Sequence, residues 1–122
     1  MPRTNQGADW QAGIMGNAGG SPALYVGVSS ASSGLFSPTN TSLPGEVTTG
    51  ALARQAATYS HTPGTTYYTL SCTFTSDQSI TINSIGIYWT STGNTLFTET
   101  ALSEPAVLVP GDELIISEVI QI

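Results

Sequence analysis

Ionic side chains are scarce in this sequence. Only 8% of its 122 residues are charged, against about 25% in an ordinary soluble domain, and lysine is absent. Two cations, Arg3 and Arg54, stand against eight acidic residues and leave a net charge of −6. Two arginines cannot form the basic face that binds nucleic acid or an anionic membrane. We therefore expect neither as a partner.

Cysteine, long apolar runs and an export signal are also missing or nearly so. Cys72 is the one cysteine, which excludes an internal disulfide, and its place in an alternating strand predicts a small buried hydrophobe. No segment approaches the roughly 20 apolar residues that span a bilayer. Residues 1–6 lack the apolar core of a signal peptide. We expect a soluble protein that is not exported by the usual signal route.

The groups that catalysis or metal binding would need are few. His61 is the one histidine and lies beside a Pro-Gly turn, and no Gly-x-Ser-x-Gly elbow surrounds any serine. Zinc ligands are too few, and Asp112-Glu113 is not followed by a calcium-binding loop. We therefore expect no enzymatic activity, no metal and no cofactor.

The residues that are abundant favour β structure. In the segment from Thr66 to Thr75, apolar side chains at Tyr68, Leu70, Cys72 and Phe74 alternate with hydroxyl side chains. This period predicts a strand with one buried face and an outer row without charge. A surface meant for contact would explain that row, because hydroxyls are cheaper to desolvate than ionic groups. The simpler alternative is that threonine is there for its β propensity alone.

Further short apolar runs, separated by turn signals every 8 to 12 residues, predict an all-β fold. The strand candidates are residues 23–28, 54–60, 66–75, 80–89, 95–102, 106–109 and 113–122. We expect a small antiparallel β-sandwich, of jelly-roll or immunoglobulin-like type, over residues 23–122. A phase change in the isoleucine pattern predicts a β-bulge near Asn83-Ser84, and Pro105 is expected to end a strand.

The last strand has apolar side chains on both faces. Leu114, Ile116, Ile120 and Ile122 share one face, and Ile115 and Val119 share the other. Burial of both faces implies either a central strand or an interface.

Residues 1–22 differ from the rest and are interpreted as an N-terminal arm. They are rich in glycine and hold one helix-compatible patch, Asp9 to Met15, for which Asp9 is the expected cap. Trp10 and Ile14 share a face at helical spacing, so the arm is expected to dock on its own domain or on a neighbour. A frayed tail is the alternative. The long loop over residues 29–53 is expected to be held by an ion pair between Glu46 and Arg54.

Taken in order, several motifs resemble a family of small structural proteins of tailed bacteriophages, described as tail-fibre-like or capsid-decorating. The motifs are Trp10-Gln11-Ala12, Leu24 to Val28, Leu43-Pro44-Gly45-Glu46-Val47, Gly50 to Gln55, Tyr59 to Gly64, Ile85 to Tyr88, Gly93 to Phe97 and Val109 to Leu114. The family commonly has an aromatic residue where Leu52 stands here. The resemblance implies a virion component with a β-sandwich and no enzymatic activity, and leaves open whether it belongs to the head or the tail.

Our first hypothesis is a capsid decoration (cement) protein, made in the host cytoplasm and assembled on the particle. Its partners would be the major capsid protein or neighbouring virion proteins, and the protein would form a small homo-oligomer, with a trimer favoured. The residues expected to mediate assembly are Trp10, Ile14, Met15, Leu35, Phe36, Ile120 and Ile122.

Two other classes remain open from the sequence. The same fold could belong to the tail, where Tyr67, Tyr88 or Trp89 would stack on host glycan. A bacterial lectin or enzyme accessory module would require a monomer that binds sugar in solution.

Overall fold

A computed structural model describes residues 3–15, 23–32 and 37–121. These residues form one α-helix, α1 (Asn5–Met15), a short 3₁₀ helix (Gly50–Leu52) and seven strands. The strands are β1 (Tyr25–Ser29), β2 (Gln55–Ala56), β3 (Thr58–Ser60), β4 (Tyr67–Thr75), β5 (Ile80–Tyr88), β6 (Leu96–Leu108) and β7 (Glu113–Gln121).

The strands form two antiparallel sheets, as the sequence predicted for a small all-β sandwich. One sheet has four strands in the order β2-β1-β5-β6, and the other has three in the order β3-β4-β7. The short strands β2 and β3 lie at one side of the two sheets, and β6 and β7 lie at the other, where Thr100 Oγ1 donates a 2.8 Å hydrogen bond to Glu118 Oε1. In the described residues β7 pairs with β4 alone and is therefore an edge strand.

The core lies between the sheets and is built by the predicted alternation. Leu70 and Phe74 of β4 are fully buried, whereas Tyr68 and Cys72 of the same row are partly buried and pack against the core. The β4–β7 register places Ile116 opposite Cys72, so the even-numbered residues of β7 face inward with those of β4.

The segment expected to form one strand over residues 54–60 forms two. Gln55 and Ala56 pair with β1, and after Ala57 the chain crosses to the other sheet, where Thr58 to Ser60 pair with β4. A backbone hydrogen bond from Ala57 N to Leu24 O, at 2.6 Å, holds the crossing point.

Pro105 does not end its strand, contrary to expectation, because β6 is an edge strand that tolerates a residue without an amide hydrogen. The register between β5 and β6 shifts between Ile82 and Ser84, which confirms the predicted irregularity. Ile82 pairs with Ala106 and Ser84 with Ala101, so the extra residues of this bulge lie on β6, including Pro105.

The helix begins earlier than expected and has a different cap. Thr4 Oγ1 accepts a hydrogen bond from Gly7 N at 2.9 Å, and Thr4 O accepts one from Ala8 N. Asp9, the expected cap, lies within α1 and is exposed. A threonine hydroxyl can accept a hydrogen bond from a free amide of the first turn, as a carboxylate can.

Candidate functional site

The outward-pointing side chains of the three-stranded sheet form a surface almost without charge, which we call the bare face. Strand register assigns to it Thr58, Ser60, Tyr67, Thr69, Ser71, Thr73, Thr75, Glu113, Ile115, Ser117, Val119 and Gln121. Glu113 is its one charged member. Hydroxyl groups dominate the β3 and β4 part. Leu70 and Phe74 of the alternate row on β4 are fully buried, so the uncharged row points away from the core, as predicted.

Two of the most exposed apolar side chains lie on the β7 part of the bare face. Ile115 is 71% exposed and Val119 is 47% exposed, and each stands opposite a threonine of β4. From the sequence, apolar residues on both faces of this strand meant either a central strand or an interface. Among the described strands β7 lies at an edge, which does not fit the central position and leaves the interface alternative.

Ile120, one of the residues expected to mediate assembly, is placed in the core instead. Its side chain is 1% exposed and packs with Ile116 and Leu70 in the main apolar cluster. The exposed pair on this strand is therefore Ile115 and Val119, which lie on the opposite face.

Trp10 packs against its own sandwich. Its ring stacks on Trp89 at a centroid distance of 5.5 Å and meets Phe97 edge-on at 5.1 Å. Thr4 anchors the same segment, since its amide donates to Phe97 O at 3.0 Å. Docking on its own domain is one of the two alternatives that the sequence left for the arm. Leu35, Phe36, Ile122 and the side chains of Ile14 and Met15 lie outside the described residues.

The outer face of the four-stranded sheet is covered by the chain itself. The loop from Leu43 to Glu46 lies on it, where Leu43 closes a small apolar cluster with Tyr88 and Leu96 and Glu46 lies against Gly27. Leu52, later in the loop, is buried in the main core. Tyr88 is fully buried, and its hydroxyl accepts a 2.9 Å hydrogen bond from Leu43 N. Burial raises the pKa of the Tyr88 hydroxyl well above its ordinary value, so this group stays protonated and acts as a fixed donor and acceptor.

The expected ion pair between Glu46 and Arg54 is present beneath this cover. Arg54 Nη2 and Nε lie 2.8 and 3.0 Å from the two carboxylate oxygens of Glu46, in a fork geometry, with both side chains less than a tenth exposed. The guanidinium also lies over the Tyr88 ring at 3.3 Å, and Tyr88 donates to Glu46 Oε1 at 3.0 Å. The pair therefore joins the loop to the sheet.

A cavity of about 360 Å³ opens beside this ion pair, between residues 46–54 and the β5–β6 hairpin turn. Arg54 lines it, but its donors are already engaged by Glu46 and by the carbonyl oxygens of Thr90 and Gly93. An anion entering the cavity would have to displace these bonds. The geometry therefore indicates a structural role for Arg54.

The aromatic side chains considered for glycan stacking are largely engaged. Tyr88 is buried beneath Arg54, and one face of Trp89 is stacked on Trp10. Tyr67 is 41% exposed and retains an accessible ring. A sugar platform built from several aromatic rings is therefore not present at these positions.

No group of acidic, histidine or cysteine side chains suited to a metal ion occurs in residues 3–15, 23–32 and 37–121. His61 is exposed, and its Nδ1 lies 2.8 Å from Tyr67 O, within a turn. The thiol of Cys72 faces the core, and its burial raises its pKa to about 11, so it is a poor nucleophile at neutral pH. In the part of the chain that the structure covers, no helix has the length and apolar content to cross a membrane.

Comparison with known proteins returned no matching family model, no similar curated protein and no similar solved structure.

Proposed function

We propose that this protein is a structural component of a tailed-bacteriophage virion, and that it binds the head shell as a small oligomer in the manner of a decoration protein. The bare face is the observation that carries the proposal. It is a broad, nearly uncharged sheet surface with exposed Ile115 and Val119, on a domain whose other sheet is covered by its own loop.

The physical argument concerns the cost of desolvation. A shell protein must bury large surfaces against neighbours, and each unpaired ionic group buried there costs several kcal/mol. Hydroxyl and aliphatic side chains avoid that cost, and interface centres are depleted in lysine, glutamate and aspartate. An acidic chain with a single charge on one sheet face meets this requirement on that face. The resemblance of its motifs to small phage structural proteins supports the same conclusion.

The test is a fractionation of particles from the phage whose genome encodes this chain. Heads and tails are separated on a density gradient, and an antibody against the protein locates it. We expect it in the head fraction. Recovery with tails alone would replace the decoration role by a tail role, and absence from both fractions would contradict a virion role.

A reconstitution assay then connects the location to the bare face. Heads lacking the protein are mixed with the wild-type chain, with Thr73→Lys, or with Ser79→Lys as a control at an exposed position outside the sheets. We expect wild type and the control to bind equally and Thr73→Lys to bind at least tenfold more weakly. Equal binding by all three would show that the bare face is not the docking surface.

A further inference from the structure

The free edge of β7 raises a separate question from the bare face beside it. Edge strands present unpaired amide and carbonyl groups, which proteins usually protect by short length, proline, bulges, a covering segment or charged side chains, including ones that point inward. At the other side of the sandwich the edge strands β2 and β3 have only two and three residues. β7 has nine residues and contains neither proline nor glycine.

The neighbouring edge strand, β6, is protected in several ways. Pro105 and the bulge interrupt its middle, and the N-terminal segment covers its beginning through a bridge from Arg3 to Thr98. β7 lacks these interruptions, and the inward-facing Glu118 is its one protecting charge on that side.

We infer that β7 pairs antiparallel with β7 of a second copy of this chain, around a two-fold axis at Ser117. The two three-stranded sheets would then join into one continuous sheet of six strands. In an antiparallel pair of identical strands, each residue must be compatible with the residue that stands opposite it in the same sequence read in reverse. This follows because a two-fold interface uses the same residues from both copies.

The sequence of β7 meets this condition in the register centred on Ser117. That register pairs all nine residues. It begins with Glu113 opposite Gln121 of the second copy and ends with Gln121 opposite Glu113. On the bare face, Ile115 stands opposite the second copy's Val119, which joins the two exposed apolar side chains of each copy. Serine meets serine at the axis, and no two like charges are opposite.

Other registers that keep the faces aligned are poorer. A centre at Glu118 places two buried carboxylates directly opposite each other, which is strongly unfavourable. A centre at Ile116 sets Glu113 opposite Val119 and Ile115 opposite Ser117, so the apolar pair is lost. In the register centred on Ser117, Glu118 faces Ile116 of the second copy.

This inference rests on the geometry of β7 and is independent of where the protein resides. It replaces the trimer favoured from the sequence by a two-fold contact. Sedimentation equilibrium of the full chain should give the mass of two copies. A solitary chain, or three copies, would overturn the pairing without affecting a virion role.

Disulfide trapping tests the register. In a Cys72→Ala background, Ser117→Cys places two thiols at the axis, where cross-strand Cα atoms are about 4.5–5.5 Å apart, within the range of a disulfide. We expect rapid covalent dimerisation under mild oxidation. Thr58→Cys, on the same face but on β3, is the control and should remain monomeric on denaturing gels. Equal cross-linking of both variants would refute the register.

Discussion

The outer faces of the two sheets are treated differently by the same chain. The four-stranded sheet is covered by the loop from Leu43 to Glu46 and by Arg54, which together bury Tyr88 and hold the Glu46–Arg54 pair. Among the residues that the structure describes, none covers the three-stranded sheet in this way, and it presents hydroxyl and aliphatic side chains instead. The charged side chains are distributed accordingly. The Glu46–Arg54 pair lies on the covered sheet, and Glu113 is the one charged residue of the bare face.

The largest expected loss of stability comes from removing the ion pair that joins the loop to the four-stranded sheet. Glu46→Ala removes the carboxylate that pairs with Arg54 and accepts from Tyr88, leaving a nearly buried guanidinium unpaired. Breaking such a pair costs about 3–5 kcal/mol. Urea unfolding should therefore show a large loss for Glu46→Ala, and Glu104→Ala, an exposed acid, should change the free energy of unfolding by less than about 0.5 kcal/mol. Equal losses would contradict the assigned role of the pair.

Two adjacent isoleucines sharpen the comparison on β7. Ile116 is 4% exposed and faces the core, so Ile116→Ala should cost about 2–5 kcal/mol. Ile115 faces outward, so Ile115→Ala should change the stability of the isolated chain by less than about 0.5 kcal/mol and should weaken self-association. Denaturation below the dissociation constant separates the two effects. A large intrinsic loss for Ile115→Ala would mean that the bare face is covered within the chain.

Adding one methyl group should change the stability on the outer face of the four-stranded sheet but not on the bare face. A Cβ at Gly27 would meet Glu46 Oε2 at 2.5 Å and Tyr88 Cε1 at 3.0 Å, so Gly27→Ala should cost about 1–3 kcal/mol. Ser71→Thr adds a methyl group to the bare face and should be within about 0.5 kcal/mol of wild type. If Gly27→Ala were harmless, the close packing of the cover would be disproved. Thermal denaturation is sufficient for this comparison.

The smallest effect is a pH dependence from Glu118. Burial raises the pKa of this carboxyl, and the hydrogen bond from Thr100 lowers it in part. Because the folded pKa lies above the unfolded one, the protonated group favours folding at low pH, and this contribution is lost as the pH rises through the folded pKa. Glu118→Gln should therefore be at least as stable as wild type at pH 7, with a flatter stability profile between acidic and neutral pH. A steeper profile would contradict the assignment.

Much of the fold could be predicted because it depends on local alternation. The faces of β4, the turns and the register shift near Asn83 all follow from side-chain period and from turn residues. The crossing at Ala57 could not be predicted, since both halves of residues 54–60 are extended and only tertiary pairing separates them. Pro105 was misjudged for a related reason, because its effect depends on whether the strand lies at an edge.

The orientation of the apolar residues on β7 was not predicted. Both faces of this strand are apolar in the sequence, and Ile120 and Ile122 from the larger set were expected to mediate assembly. The pairing with β4 decides which set faces inward, and that pairing is not local information. The more apolar face forms the core, which leaves Ile115 and Val119 outside. In the same way Trp10 was assigned to assembly, whereas its partners, Trp89 and Phe97, are distant in sequence.

The most direct test of the account compares two side chains of nearly equal exposure in the isolated chain. Ile115 on the bare face is 71% exposed, and Val107 on β6 is 73% exposed. Hydroxyl-radical labelling with mass spectrometry measures the accessibility of both, in dilute protein and in the associated state. The account predicts that association protects Ile115 strongly and leaves Val107 accessible. Equal labelling of Ile115 in both states would contradict the claim that the bare face lies against protein.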